Sequence, residues 1–428
     1  MSPGAVGPVC ILHNPPSHSG AYVVISVRGW TLHGNSEPQL KKHQDESSSV
    51  LNTPLNRRTA LAAAVATVIG PKGQAMANMT DSATAGDLGA MFDAHVRHEF
   101  VDMDLDATMK TMVADPYVFH VPTMTGGVGH SDVRAFYGNH FIGHWPDDTE
   151  VKTVSRTIGT NQVVDELVIS FTHDREIPIS LPGIKPTGRR IVLPHVVIMG
   201  FKDGLVAHEH IYWDQASALV QAGLLEPAAG LPVVGAGQAR ALLDHVASRG
   251  ELAPGSNTGH DLGALFDRHV SLEFQDKDVA ATMQTMHEHP YVWNVPVALG
   301  GDDHDGVEEF YTDKFVGHMP ADTDVSFISR TVGADQVVDE MILTFTHDSP
   351  VEFALPGVAP TGRKVELPHV VVMGFEGGKV THEHIYWDNA SLLVQVGLID
   401  PASLPVLGQE PARWLRDRAE PLNKILKL

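Results

Sequence analysis

The sequence repeats itself. The run Asp87-Leu-Gly-Ala-Met-Phe-Asp-Ala-His95-Val returns as Asp261-Leu-Gly-Ala-Leu-Phe-Asp-Arg-His269-Val, at an offset of about 174 residues. The match continues without a gap to Gly223-Leu224-Leu225-Glu226-Pro227 and Gly397-Leu398-Ile399-Asp400-Pro401. Roughly 80 of about 140 aligned positions are identical, far more than shared composition produces, and a unit this long is a small domain rather than a solenoid repeat. Whatever one copy folds into, the other must fold into as well. The 428-residue chain therefore divides into an extension (1–83), a first domain (84–228), a linker (229–257), a second domain (258–402) and a tail (403–428). The linker is rich in Gly, Ala and Pro, with one helical stretch over Gln238–Ser248.

Periodicity sets the order of elements within a copy. Leu88, Phe92, Val96 and Phe100 form an apolar helical stripe. A second helix is expected from Asp104 until Pro116 stops it, and a third short one over Val133–Phe141. After Pro146 alternation takes over, predicting strands at Val151–Ile158, Val163–Thr172, Arg190–Phe201 and Leu205–Trp213. Three helices followed by a curved antiparallel sheet is an α+β layout, with the helices on one face of the sheet.

Composition narrows the partners. With 43% hydrophobic and 19% charged residues the chain can bury a core, and its net charge of −22 repels phosphate backbones. Nucleic acid and anionic membranes are accordingly poor partners. One cysteine, Cys10, excludes a disulfide framework and a zinc–thiolate site. The 25 histidines hint at metal, but His95, His173, His195, His208 and His210 each recur in the second copy, so much of the excess is one pattern counted twice. Ahead of the first copy, Arg57-Arg58, an uncharged Ala/Val run and Ala75-Met76-Ala77 resemble a twin-arginine export signal over 57–77, which implies export to the periplasm or beyond. Such signals begin close to their arginines, so the long segment before Arg57 fits only if translation starts near Val50 or Leu51. Without that, the chain is expected in the cytoplasm.

Several motifs resemble one family. They are Val163-Val164-Asp165-Glu166, Phe171-Thr172-His173, Leu181-Pro182-Gly183-Ile184-Lys185-Pro186-Thr187-Gly188-Arg189 and His208-Glu209-His210-Ile211-Tyr212-Trp213-Asp214, each with a partner in the second copy. They are similar to the SnoaL-like polyketide cyclases of the nuclear transport factor 2-like superfamily. The resemblance implies two cone-shaped α+β barrels, each a curved sheet wrapped round helices with a pocket for a small hydrophobic molecule. It implies that the fused copies pair as an intramolecular pseudo-dimer through their outer sheet faces. It also implies acid/base chemistry by a strand carboxylate, without metal or cofactor. The superfamily houses isomerases, dehydratases, epoxide hydrolases, cyclases and binding domains, so fold alone does not name the reaction.

The last strand carries the most chemistry. Alternation puts His208, His210, Tyr212 and Asp214 on one face and Glu209, Ile211 and Trp213 on the other. The turn at Lys202-Asp203-Gly204 decides which face His195 joins. A two-residue turn aligns His195 with His208 and His210, three nitrogens suited to zinc or iron. A three-residue turn aligns it with Glu209, which then sits among Val197, Ile211 and Trp213 with its pKa raised, a workable acid/base beside a carbonyl. The second copy offers the same choice with His369, His382, Glu383, His384, Tyr386, Trp387 and Asp388. A third possibility makes one of these faces simply the interface between sheets.

The acid/base register is preferred. Glu209 and Glu383 are then the general acid/base groups, with His195 and His369 orienting them or shuttling protons. The competing expectations are a non-catalytic ligand-binding or assembly protein and a histidine-ligated metal enzyme. Around this centre, His95 and Glu99, with His269 and Glu273, either line the pocket or form a surface pair one helical turn apart. Arg156 opposite Asp165, and Arg330 opposite Asp339, read as cross-strand ion pairs, with a partial likeness to the Asp-Arg-Asp arrangement of limonene epoxide hydrolase relatives. His120 ends the second helical region and is replaced by Asn294, while Trp145 is replaced by Met319. If these positions line pockets, the two pockets differ.

Overall fold

The computed structural model describes residues 87–227, 231–249 and 255–427. The export-like segment 57–77 lies outside the described residues. Among the described residues, no helix is long and apolar enough to cross a membrane.

The first repeat opens with helix α1 (Leu88–Phe100), capped by Asp87 accepting from the Ala90 N–H, and α2 (Leu105–Lys110), capped in the same way by Asp104. Strands β1 (Met112–His120) and β2 (Thr125–Val128) follow, then α3 (His130–Phe136), which runs into a π turn over Tyr137–Phe141. The long strands β3 (Glu150–Ile158), β4 (Gln162–Thr172), β5 (Arg190–Lys202) and β6 (Leu205–Tyr212) come next, and α4 (Gln215–Ala222) closes the unit. After α5 (Gly237–Arg249) the second repeat runs through α6 (Leu262–Ser271), α7 (Val279–Met283), β7 (Met286–Asn294), β8 (Leu299–Gly301) and α8 (His304–Phe310). It continues through β9 (Asp324–Val332), β10 (Gln336–Thr346), β11 (Lys364–Glu376), β12 (Lys379–Trp387) and α9 (Asn389–Val396), and α10 (Glu410–Asp417) lies in the tail.

Each repeat is an α+β unit built on a six-stranded sheet, ordered β2-β1-β6-β5-β4-β3 and β8-β7-β12-β11-β10-β9. The four long strands form where alternation predicts them. Two points differ from expectation. The second helix stops at Lys110, and Met112–His120 is a strand, so His120 ends a strand rather than a helical region. Thr-Met-Lys-Thr-Met-Val suits a helix locally, but Tyr117-Val118-Phe119 gains more from pairing with β6, and Pro116 falls where that pairing is irregular. Because β1 runs parallel to β6, the sheet is mixed rather than wholly antiparallel.

The β5–β6 hairpin sets the register by a route the sequence reading did not contain. Its loop is the two-residue turn Asp203-Gly204, with φ of 53° and 76°, a backbone that glycine and aspartate tolerate best. Directly after it, Phe201 pairs with Val206 but Gly200 pairs with His208, leaving Ala207 as the extra residue of a β-bulge. The bulge shifts the pairing by one residue, so Met199 faces Glu209 and Val197 faces Ile211. Gly377-Gly378 and the extra residue Thr381 do the same in the second repeat.

Inside each curved sheet, Phe92, Val118, Phe136, Phe171, Met199 and Trp213 and their counterparts form the core. The outer faces carry hydrogen bonds from one repeat to the other. His210 Nδ1 donates to Glu340 Oε1 at 2.6 Å, as does the Tyr212 hydroxyl at 2.7 Å. The exchange is reciprocal: His384 and Tyr386 donate to Glu166 Oε1 at 2.7 and 2.8 Å. The linker helix α5 brings His245 against Tyr291 and Trp293, while Trp414 of α10 stacks on Phe119 with centroids 3.9 Å apart.

Candidate active site

Three elements converge at the base of each cone. On α1, Phe92, His95 and Glu99 share the buried face. The π turn begins at Tyr137, and β6 presents Glu209 inward because of the bulge. His95 Nε2 lies 2.8 Å from Glu209 Oε1 and 3.2 Å from Glu99 Oε1, and the Tyr137 hydroxyl donates to Glu209 Oε1 at 2.9 Å. The other ring nitrogen is fixed by a relay. The Thr111 hydroxyl spends its proton on Thr108 O at 2.6 Å, so at 2.5 Å it can only accept from His95 Nδ1–H. His269, Glu273, Glu383, Tyr311 and Thr285 repeat this set, with 2.7 Å from His269 Nε2 to Glu383 Oε1 and 2.8 Å from the Tyr311 hydroxyl.

Electrostatics follow from this packing. Burial opposes a charge on His95, but Glu99 and Glu209 outweigh it and lift the imidazole up to about 10, so it is an imidazolium at neutral pH. His269 is raised to about 10 for the same reasons. Burial pushes the Glu99 carboxyl up, with the Glu209 charge adding to it against the pull of His95. Glu209 is held below the usual carboxylate range: burial works to raise it, and His95 and Tyr137 prevail. The expectation of a raised Glu209 is therefore corrected. Its surroundings are apolar on the cavity side, but the cation behind it decides the sign.

Glu209 has one oxygen tied and one free. Oε1 takes the bonds from His95 and Tyr137, no described residue donates to Oε2, and the residue lines a cavity with His120, His195, Met199, Ile211 and Trp213. His195 does not touch Glu209 as expected. Its Nδ1 meets Leu193 O at 3.0 Å, its ring leans on Trp213, and burial pushes it down to about 4, a neutral imidazole. His369 lies flat on Trp387, at 4° and 5.6 Å, and is likewise depressed to about 4 by burial. His120 and Asn294 play one role at their position: each donates to a backbone carbonyl, Thr125 O or Leu299 O, at 3.2 Å.

The remaining candidates separate by face. His208 and His210 are on the outer side, away from His195, so the three-histidine metal set is not assembled; the bulge prevents it. His208 stacks on Tyr117 at 5.1 Å and His382 on Tyr291 at 5.4 Å. Tyr212, His384 and Tyr386 serve the contacts between repeats described above. Trp213 is a wall of the first cavity and Trp387 is buried in the second core, with indole N–H bonds to Gln215 and Asn389. Asp214 and Asp388 are helix caps that also reach across, Asp388 accepting from Gln215 N and Asp214 from Asn389 N. The Arg156–Asp165 pair is bidentate, at 2.6 and 2.7 Å, and Asp93 of α1 adds a third member at 2.9 Å. Arg330, Asp339 and Asp267 match it. His95 and Glu99 are fully buried partners of Glu209 rather than a surface pair. Tyr137, Tyr311, Thr111 and Thr285 were missed; each is identical in both copies, which was the available signal.

His95, Glu99 and Glu209, and their three counterparts, each offer one ligand atom within 4.8 Å of the others, a donor set that a small divalent cation could use.

Comparison with known proteins matches the geometry to a family. A family model for the SnoaL-like domain matches residues 88–209 and again 266–383. No curated protein matches the chain. Among solved structures, the chain is similar to a protein assigned as a SnoaL-like polyketide cyclase from Jannaschia sp. CCS1, at 17% identity over 34% of this chain and 99% of that one, TM-score 0.28. It is also similar to AclR from Streptomyces galilaeus, assigned as a hydroxylase, at 21% identity over 34% and 90%, TM-score 0.27. A third is a nuclear transport factor 2-like protein of unknown function from Burkholderia pseudomallei K96243, at 15% identity over 31% and 95%, TM-score 0.26. With both repeats matched and each folded as a helix-lined curved sheet, the chain belongs to the SnoaL-like domain family, as two tandem copies.

Proposed function

We propose that the protein is a cofactor-independent acid/base enzyme, a cyclase, isomerase or dehydratase-like lyase, acting on a small hydrophobic carbonyl compound. The observation that carries this reading is the divided Glu209 carboxylate. Oε1 is anchored by an imidazolium and a phenol, Oε2 takes no hydrogen bond from a described residue, and the side chain lines an apolar cavity. A fixed carboxylate facing an apolar ligand can take a proton from the carbon next to a carbonyl and return it elsewhere. His95 stabilises the charged form before the transfer, and Glu99 behind it offers a second protonatable group for relay. The intramolecular pseudo-dimer belongs to the same proposal, supported by the reciprocal His–Glu and Tyr–Glu bonds between repeats. Such pairing holds each β6 or β12 from behind while its glutamate works in front.

Replacing Glu209 and Glu383 together by Gln removes both bases without changing shape. Proton exchange at the α-carbon of a bound aryl ketone in deuterated water is expected to fall at least 100-fold, with the circular dichroism spectrum unchanged. Exchange at the wild-type rate in that double variant would overturn the reading. A second reading, a metal centre on the same groups, is favoured by Glu99 Oε1 and Glu273 Oε1, which are buried and take no hydrogen bond, with only the ion-pair approach of His95 and His269 at 3.2 and 3.3 Å. Elemental analysis of the purified chain separates the two: stoichiometric zinc, iron or manganese supports the metal centre, and its absence supports acid/base work.

A further inference from the structure

The two cones share a catalytic set but not a cavity. The first encloses about 80 Å³ and the second about 640 Å³. An apolar void of roughly 150 Å³ takes one benzene ring, so the first cone is too small for a single aromatic ring and the second has room for several. The difference traces to particular substitutions between repeats. In the first cone Trp145 lines the cavity, its ring packed against Phe100 at 5.7 Å, Phe141 at 6.2 Å and Phe171 at 5.6 Å. The second cone has Met319 there, an unbranched side chain that leaves the space in front of Phe274, Phe315 and Val325 open. At its rim stands Phe327, 60% exposed, where the first repeat has Thr153. An aromatic ring left in water beside an open apolar cavity is the kind of contact a ligand covers. Deeper in, His369 Nδ1 is buried without a hydrogen-bond partner, whereas its counterpart His195 is satisfied by Leu193 O.

We infer that the second cone is the ligand-binding cone for molecules of two or more fused rings, and that Trp145 shuts the first cone to them. This rests on reading the cones as ligand sites and adds which of them takes fused rings and what sets the size limit. The first cone then keeps Glu209 facing a space for molecules smaller than one aromatic ring.

The test is a count of sites on the full chain. Calorimetric titration with 2-naphthol, a neutral two-ring phenol, is expected to give one site per chain in the wild type. Trp145→Met is expected to raise the count to two, and Met319→Trp to reduce it to zero at concentrations that saturate the wild type. Two sites in the wild type, one site that survives Met319→Trp, or no binding to the wild type would each overturn the assignment. Should Trp145→Met fail to fold by circular dichroism, the wild-type count and Met319→Trp still decide. The site count is read separately from the chemistry, which the Glu209→Gln, Glu383→Gln double variant tests. Unchanged proton exchange in that variant would remove the acid/base reading and leave the site assignment standing.

Discussion

His95 and His269 show how far surroundings govern a single side chain. A buried imidazole without a charge partner loses its proton early, as His195 and His369 do, both pushed down to about 4 by burial. His95 is as deeply buried, yet two carboxylates within 3.2 Å reverse the outcome and hold it up to about 10. The folded-state pKa lies above the free value of 6.5, so the stabilisation is complete below about 6.5 and is lost as pH rises through about 10. An NMR titration of the His95 ring is expected to show imidazolium through pH 8, and Glu209→Gln to move its midpoint down. Replacing His95 itself by Gln leaves two buried carboxylates facing each other and is expected to cost about 3–5 kcal/mol in denaturant unfolding.

At the scale of the element, one extra residue decides the site. Without the bulge at Ala207 the Asp203-Gly204 turn would pair His195 with Tyr212 and send Glu209 to the outer face; with it, Glu209 faces the cavity. Gly200 sits at this bulge because nothing larger fits. A Cβ there would fall 2.0 Å from the His208 ring, and at Gly374 it would fall 1.9 Å from His382. Gly200→Ala is therefore expected to destabilise the protein by about 1–3 kcal/mol through overpacking, read as a lower denaturation midpoint. A smaller loss would mean that the histidine swings away freely and does not pin the register.

On the scale of the whole molecule, the repeats hold acidic groups at the region they share. Burial pushes Asp388 up to about 7, against the backbone N–H bonds it accepts, and it carries Asp214 well above the ordinary range with the Asp388 charge adding to it. A carboxyl raised on folding contributes stability that is full below its unfolded value near 3.9 and is lost as pH rises through about 7. Glu166 and Glu340 act in the opposite sense. Burial works to raise them, but the histidine each accepts from holds them low, so their share is present above about 4.5 and lost below it. Asp388→Asn is expected to flatten the pH dependence of unfolding free energy between pH 4 and 7, measured by urea titration at successive pH values. An unchanged slope would show that Asp388 stays ionised throughout.

Much of this was legible in the chain itself. The duplication, the four long strands, the first helix and the alternation that sets Glu209 apart from His208 and His210 all follow from sequence pattern, because side-chain period and turn chemistry are local properties. The sequence alone also marked Trp145/Met319 and His120/Asn294 as points where the copies diverge. Strand β1 was not legible, because its gain comes from pairing with a strand about 90 residues later and its local composition suits a helix equally well. Neither was the choice of His95 over His195 as the partner of Glu209, nor the size of each cavity. Those depend on a one-residue bulge, on the approach of a helix to a sheet and on how far one indole reaches, distances that only the packed tertiary structure decides.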